Sequence, residues 1–204
     1  MKHVLAFFGA FNPPTLAHLN TAEYAMRQTG REGVLFVPSK AEYIRFSQKK
    51  DRAFSNESRL EMLKSICEKR SFMQFTDIEI RSETQPRTYE TLLRLREAGF
   101  SPSLLVGSDK LVELESKWLY VDKILDGFGI VCLTRGSDNC EEIIRNSPLL
   151  FSMKNRIELV ETPAAFRDIS STAVRRRLSE GAAPEELKSL VPEEIIPLLY
   201  KKEL

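Results

Sequence analysis

The chain has 204 residues, 42% of them hydrophobic, and its 30 Lys and Arg nearly balance 29 Asp and Glu for a net charge of +1. That length suits one compact domain with a sizeable core. The charge balance excludes a global pull toward nucleic acid or an anionic membrane, so any attraction for anions is local.

In chain order, HVLAFF (3–8) reads as a buried strand. It is not a secretory signal, because the apolar run breaks at Asn12-Pro13-Pro14 with no small-residue cleavage site. LAHLNTAEYAMRQ (16–28) has Leu16, Leu19, Ala22 and Ala25 at helical spacing, Thr15 as its cap and Gly30 as its stop. GVLFVP (33–38) is a second strand, and the polar, basic stretch 39–55 lacks a period and reads as a long loop. NESRLEMLKSICEK (56–69) is a helix with Asn56 as its cap. FMQFTDIEI (72–80) reads as a strand and RTYETLLRLREAG (87–99) as a helix ended by Gly99. SLLVG (103–107), GIVCLT (129–134) and IELVE (157–161) are further strands with helices between them. From 172 onward the chain is helical, broken at Gly181, Pro184, Pro192 and Pro197. Nothing approaches the length of a transmembrane helix. Cys67, Cys132 and Cys140 lack CxxC spacing, which disfavours zinc or a disulfide framework and fits a reducing cytoplasm.

Continuous apolar strands alternating with helices predict an α/β fold with a doubly wound parallel sheet. Ligands of such sheets sit at the carboxyl ends of the strands. Two strand-to-helix turns there carry the chemistry. In the first, Gly9 permits close approach, Pro13 and Pro14 stiffen the turn, and Thr15 opens a helix whose bare N–H groups form an anion site. His18 shares a face with Thr15, where the helix dipole disfavours a cationic ring unless a phosphate is near to promote its protonation. In the second, Ser170, Ser171 and Thr172 are all capable caps, and Arg175 lies four residues after Ser171 on the same face. Hydroxyls, N–H groups and a guanidinium at one helix end suit phosphate oxygens. Arg176 and Arg177 are expected in solvent. The sequence lacks GxxxxGK[ST], GxGxxG after a strand, and GxSxG, which excludes a P-loop ATPase, a standard dinucleotide oxidoreductase and an α/β-hydrolase elbow.

GAFNPPTLAHL resembles the (H/T)xGH signature of the nucleotidylyltransferase superfamily, and ISSTAVRRRL resembles its ISSTxxR signature. With TYETLLRLRE, LLVGSD and Trp118, the chain resembles the nicotinate/nicotinamide mononucleotide adenylyltransferases from residue 3 to about 180. The resemblance implies a Rossmann-like domain over 1–180, with 181–204 a helical extension packed on it. It implies adenylyl transfer from ATP to a pyridine mononucleotide with Mg2+ carried mainly by the ATP phosphates. It gives Thr15, His18 and Arg175 catalytic roles and places Gly9, Ala10, Phe11, Asn12, Ile169, Ser171 and Thr172 at ATP. Gly107 and Asp109 match its GxD, where the carboxylate meets the ribose; without the family, Asp109 reads equally as a cap of the next helix. Trp118 matches the aromatic that stacks on the pyridine ring, Thr84, Thr88 and Tyr89 lie where the family closes over its substituent, and Lys40 is a candidate for the mononucleotide phosphate. Thr15 replaces the first His common in bacterial members, Ala17 replaces the Gly, and VPSK stands where many have Pro-Pro-His-Lys. Chain length and TYETL favour nicotinate mononucleotide as the acceptor. The alternatives are nicotinamide mononucleotide, another nucleotidyl acceptor, or a nucleotide-binding regulator without turnover; a homo-oligomer is also compatible.

Overall fold

The computed structural model describes residues 1–46, 53–134, 138–166 and 169–201. Six strands form one sheet among them: β1 (Lys2–Gly9), β2 (Gly33–Pro38), β3 (Met73–Phe75), β4 (Phe100–Gly107), β5 (Ile130–Thr134) and β6 (Ile157–Glu161). Their order is β3-β2-β1-β4-β5-β6, and every pairing is parallel. The helices are α1 (Leu16–Gln28), α2 (Ala41–Phe46), α3 (Asn56–Glu68), α4 (Thr88–Glu97), α5 (Ser108–Lys117), α6 (Val121–Phe128), α7 (Cys140–Asn146), α8 (Pro148–Ser152), α9 (Ser171–Ser179), α10 (Pro184–Leu187) and α11 (Ile196–Leu199).

The strands are continuously apolar because both faces of the sheet are covered. Leu5, Phe36, Leu105 and Val131 point to one side, against Leu19 and Ala22 of α1, Leu63 and Ile66 of α3, and Val174 of α9. Val4, Ala6, Leu35, Leu104 and Cys132 point to the other, against Leu92 of α4, Leu111 of α5, Ile124 of α6 and Ile144 of α7. Leu187, Val191, Ile195, Ile196 and Leu199 join the first core, and Leu16 N–H bonds the Leu190 carbonyl at 2.9 Å. Strand order reverses between β1 and β4, which pair with Phe7 opposite Leu105, so Gly9 and Gly107 end neighbouring strands at one level. That is the switch point at which a doubly wound sheet opens a crevice.

Four expectations change. Residues 41–46 are a helix, with Ala41 and Ile44 buried, too short for a period to reveal; 47–52 of the expected loop lie outside the described residues. The cap of α3 is Ser55, whose hydroxyl accepts from Ser58 N–H at 3.1 Å. Asn56 turns inward, accepting from Ala41 N–H and Arg59. The strand expected over 72–80 stops at Phe75; Thr76 N–H makes a last bond to Phe36, and Arg81 N–H bonds back to Asp77 in a helical turn. Pro197 does not break a helix but sits in the first turn of α11, as Pro184 does in α10, where no N–H is needed. All three cysteines are free, and no described helix is long and apolar enough to cross a membrane.

Candidate active site

The carboxyl ends of β1 and β4 border a cavity of ≈ 910 Å3, lined also by the turns before α1 and α9, the starts of α4 and α5 and the end of α5. The first turn is held by its carbonyls. That of Gly9 accepts from Ser39 N–H at 3.0 Å, that of Ala10 from Arg59 Nη1 at 2.8 Å, that of Asn12 from Arg175 Nη1 at 2.7 Å, and that of Pro13 from Ser171 Oγ at 2.8 Å. Asn12 Oδ1 accepts from Phe54 N–H at 2.9 Å. Bonding to protein donors keeps these oxygens from repelling an anionic ligand. Phe11 takes φ 43°, in the left-handed region that costs a side-chain-bearing residue roughly 1–2 kcal/mol. Its ring meets Phe7 and Phe36 edge-on, and a Cβ on Gly9 would lie 3.0 Å from it. Gly9 therefore makes room for Phe11 as well as for a ligand.

Thr15 caps α1 as expected, and its relation to His18 is more specific. Thr15 N–H donates to His18 Nδ1 at 3.0 Å, the Thr15 hydroxyl lies 2.8 Å from the same nitrogen, and His18 N–H returns to Thr15 Oγ1. A backbone N–H has only a proton to give, so Nδ1 accepts and Nε2 carries the ring proton. In this arrangement Nε2 is the ring nitrogen left to donate. Thr15 is wholly buried and does not line the cavity; it fixes the ring that does.

In the second turn Ser170 is the cap of α9, accepting from Ala173 N–H at 3.2 Å. Ser171 and Arg175 both reach across to the first turn, and Arg175 Nη2 also bonds Thr172 Oγ1 at 3.3 Å. The two turns are thus one unit despite some 160 residues between them. Arg175 has no carboxylate within ion-pair distance among the described residues, and burial lowers its pKa without discharging it. Ile169, Ser171, Thr172 and Arg175 line the cavity.

Gly107 ends β4, and a Cβ there would lie 2.6 Å from Asp109 Oδ1. Gly107 is the cap of α5 and Asp109 lies in its first turn; the exposed Asp109 carboxylate lines the cavity beside Lys110. Trp118 follows α5, half-buried against the second core, and lines the cavity with Thr88. Lys40, Thr84 and Tyr89 do not line it. Lys40 Nζ caps the carbonyls of Ile80, Ser82 and Glu83, Thr84 is exposed, and Tyr89 packs against Tyr120 and Phe128.

Two buried charged residues went unsingled in the sequence. Glu79 is 2% exposed and borders the cavity, accepting from Gln85 Nε2 and from Thr91 Oγ1 at 3.0 Å. Gln85 is oriented by Lys40 N–H, which donates to its Oε1 at 3.0 Å. Burial pushes the Glu79 carboxyl up to about 7, against the lowering effect of its two donors. The other is Arg59, whose place in an ordinary helical pattern gave no signal of burial.

Two helix starts, an imidazole donor and an unpaired guanidinium converging at a parallel-sheet switch point put the protein among the nucleotidyl-transfer enzymes of α/β fold. A family model described as cytidylyltransferase-like matches residues 6–177. A Clostridium botulinum (strain Okra / Type B1) protein named "Probable nicotinate-nucleotide adenylyltransferase" is 31% identical over 199 residues, 96% of this chain and 95% of its own. The chain belongs to the cytidylyltransferase-like family and, within it, to the nicotinate-nucleotide adenylyltransferases. An Oryza sativa subsp. japonica relative named "Nicotinamide/nicotinic acid mononucleotide adenylyltransferase" is 28% identical, covering 98% of this chain and 85% of its own. Plasmodium falciparum nicotinic acid mononucleotide adenylyltransferase, solved in complex with APC, shares the fold at a TM-score of 0.73 and 19% identity, over 98% of this chain and 94% of that one. Its complex with NaAD gives 0.72 at 18% identity.

Proposed function

We propose that the protein transfers the adenylyl group of ATP to nicotinate mononucleotide, forming deamido-NAD and pyrophosphate. The observation that carries this reading is the joining of the two turns: Arg175 and Ser171 bond the first turn at its mouth, so His18, the start of α9 and the guanidinium face one polyphosphate-sized cleft. In this reading Gly9, Ala10, Phe11, Asn12, His18 and the start of α9 surround the triphosphate, and Asp109 meets the ribose. Thr88 and Trp118 hold the pyridine end. A phosphate oxygen of the mononucleotide attacks the ATP α-phosphorus, the bond to the bridging α–β oxygen breaks, and pyrophosphate leaves with that electron pair. No protein nucleophile is needed; in-line positioning and charge stabilisation suffice. His18 Nε2–H and Arg175 stabilise the charge that develops on the transferring group and leaving pyrophosphate.

No group of three His, Cys, Asp or Glu able to hold a metal occurs among the described residues. A cavity with phosphate-binding groups and the exposed Asp109 carboxylate fits Mg2+ arriving on ATP, where it neutralises phosphate charge. The unpaired cysteines fit a reducing compartment such as the cytoplasm.

The test is to incubate the protein with ATP, Mg2+ and each mononucleotide in parallel and to identify the dinucleotide by mass. Deamido-NAD formed in preference to NAD is the expected result. No dinucleotide from either acceptor overturns the reading. Preference for nicotinamide mononucleotide, for which the name of the rice relative speaks, overturns the acceptor alone.

A further inference from the structure

Arg59 leads the largest fully buried side chains among the described residues, at 0% exposure. It reaches from α3 to the underside of the first turn, where Nη1 donates to the Ala10 carbonyl at 2.8 Å and Nη2 to Asn56 Oδ1 at 2.7 Å. Its buried Nε finds no acceptor among the described residues. Both acceptors are neutral, and no described carboxylate lies within ion-pair distance of the guanidinium. The charges that act on it are Glu42 of α2 and Glu57 of its own helix, and they do not cancel burial, which lowers its pKa to about 10. It is therefore a cation at neutral pH, held in the interior without a counter-ion in contact among the described residues. Such a group is costly unless something supplies the missing negative charge.

Ala10 lines the cavity and Arg59 does not, so one peptide unit separates the guanidinium from the cleft. In a trans peptide the C=O and the following N–H point opposite ways, so holding the Ala10 carbonyl toward Arg59 aims the Phe11 N–H away from it. We propose that Arg59 is a positioning residue of the ATP phosphate site: it holds this peptide from behind the turn, and its buried charge is balanced across the peptide by the polyphosphate. The inference rests on the adenylyltransferase reading only in taking the triphosphate of ATP as the balancing anion. It separates Arg59 from Arg175, which makes the matching bond to Asn12 but lines the cleft itself.

A purely structural arginine would weaken all ligands of the turn alike, whereas a balancing charge weakens them in proportion to phosphate number. Dissociation constants of adenosine, AMP, ADP and ATP with Mg2+, measured by calorimetry on the full chain, distinguish the two. In Arg59→Met, adenosine affinity should hold within about twofold while ATP affinity falls on the order of 10-fold, with AMP and ADP between. Arg59→Lys, which keeps the charge, should recover most of the ATP affinity. Equal losses for all four ligands, or no loss for ATP, overturn the proposal. If circular dichroism shows Arg59→Met unfolded, the Lys variant decides: an ATP-over-adenosine preference within about threefold of wild type supports the proposal, and its collapse overturns it. A wild type that binds ATP no better than adenosine overturns the adenylyltransferase reading and this proposal together.

Discussion

His18 owes its tautomer and its aim to one neighbour. Thr15 donates its backbone N–H to Nδ1, and its hydroxyl sits against the same nitrogen, so the cap and the proposed catalytic group are one device. His18→Ala should lower kcat by roughly 10²–10³, the scale for losing one donor to a transition state. Thr15→Ala keeps the ring but loosens it, and should cost about 1 kcal/mol of stability together with a smaller fall in kcat. Thr15→Ser should restore both, and a Ser variant as impaired as Ala would refute the coupling. Glu79 gives a pH prediction. Its folded pKa of about 7 lies above its usual 4.5, because desolvation outweighs the bonds from Gln85 and Thr91. The folded chain thus retains a proton that the unfolded chain releases. The associated stability is fully present below about 4.5 and is lost as pH rises through about 7. Urea unfolding of wild type and Glu79→Gln at pH 5 and pH 8 tests this: the variant should gain relative to wild type at pH 8. A difference independent of pH would contradict it.

At the scale of elements, β1 and β4 each deliver a glycine to the switch point, and the glycines do different work. Gly107 keeps clear the space that the Asp109 carboxylate occupies. Because that carboxylate ends a largely exposed side chain, Gly107→Ala should displace it and leave the strand intact. The expected outcome is a KM for ATP raised roughly 3–10-fold, the worth of one hydrogen bond, with an unchanged melting temperature. A lowered melting temperature with normal KM would place the clash in the backbone. The bounds of α1 and β2 were legible because a strong cap and an unbroken apolar run announce them. The Glu79 segment was not: its alternation imitates a strand, while its polar residue turns inward to partners six and twelve residues on. Arg59 was illegible for a related reason, since its burial depends on a carbonyl 49 residues away. The two signatures could be read, but not the direct bonds between them, which come only from folding the chain back on itself.

At the scale of the molecule, residues beyond 180 are structural partners of the sheet, and we propose that they belong to the same folding unit as 1–180. Leu187, Val191, Ile195, Ile196 and Leu199 sit in the core beneath α1 and α3. Burial of each such side chain contributes about 1.5–3 kcal/mol, so together they rival the whole margin by which domains of this size are stable, roughly 5–15 kcal/mol. A chain ending at residue 180 should show no cooperative thermal transition by circular dichroism; a melting temperature near that of the full chain would refute this. The first turn has a bearing on synthesis as well. Its carbonyl donors come from residues 39, 59, 171 and 175, in that order along the chain. As the polypeptide leaves the ribosome, two of the turn's four anchors emerge more than 150 residues after the turn itself. Until they do, a nascent chain carries this turn half-tethered, and its full set of anchors comes only with the start of α9.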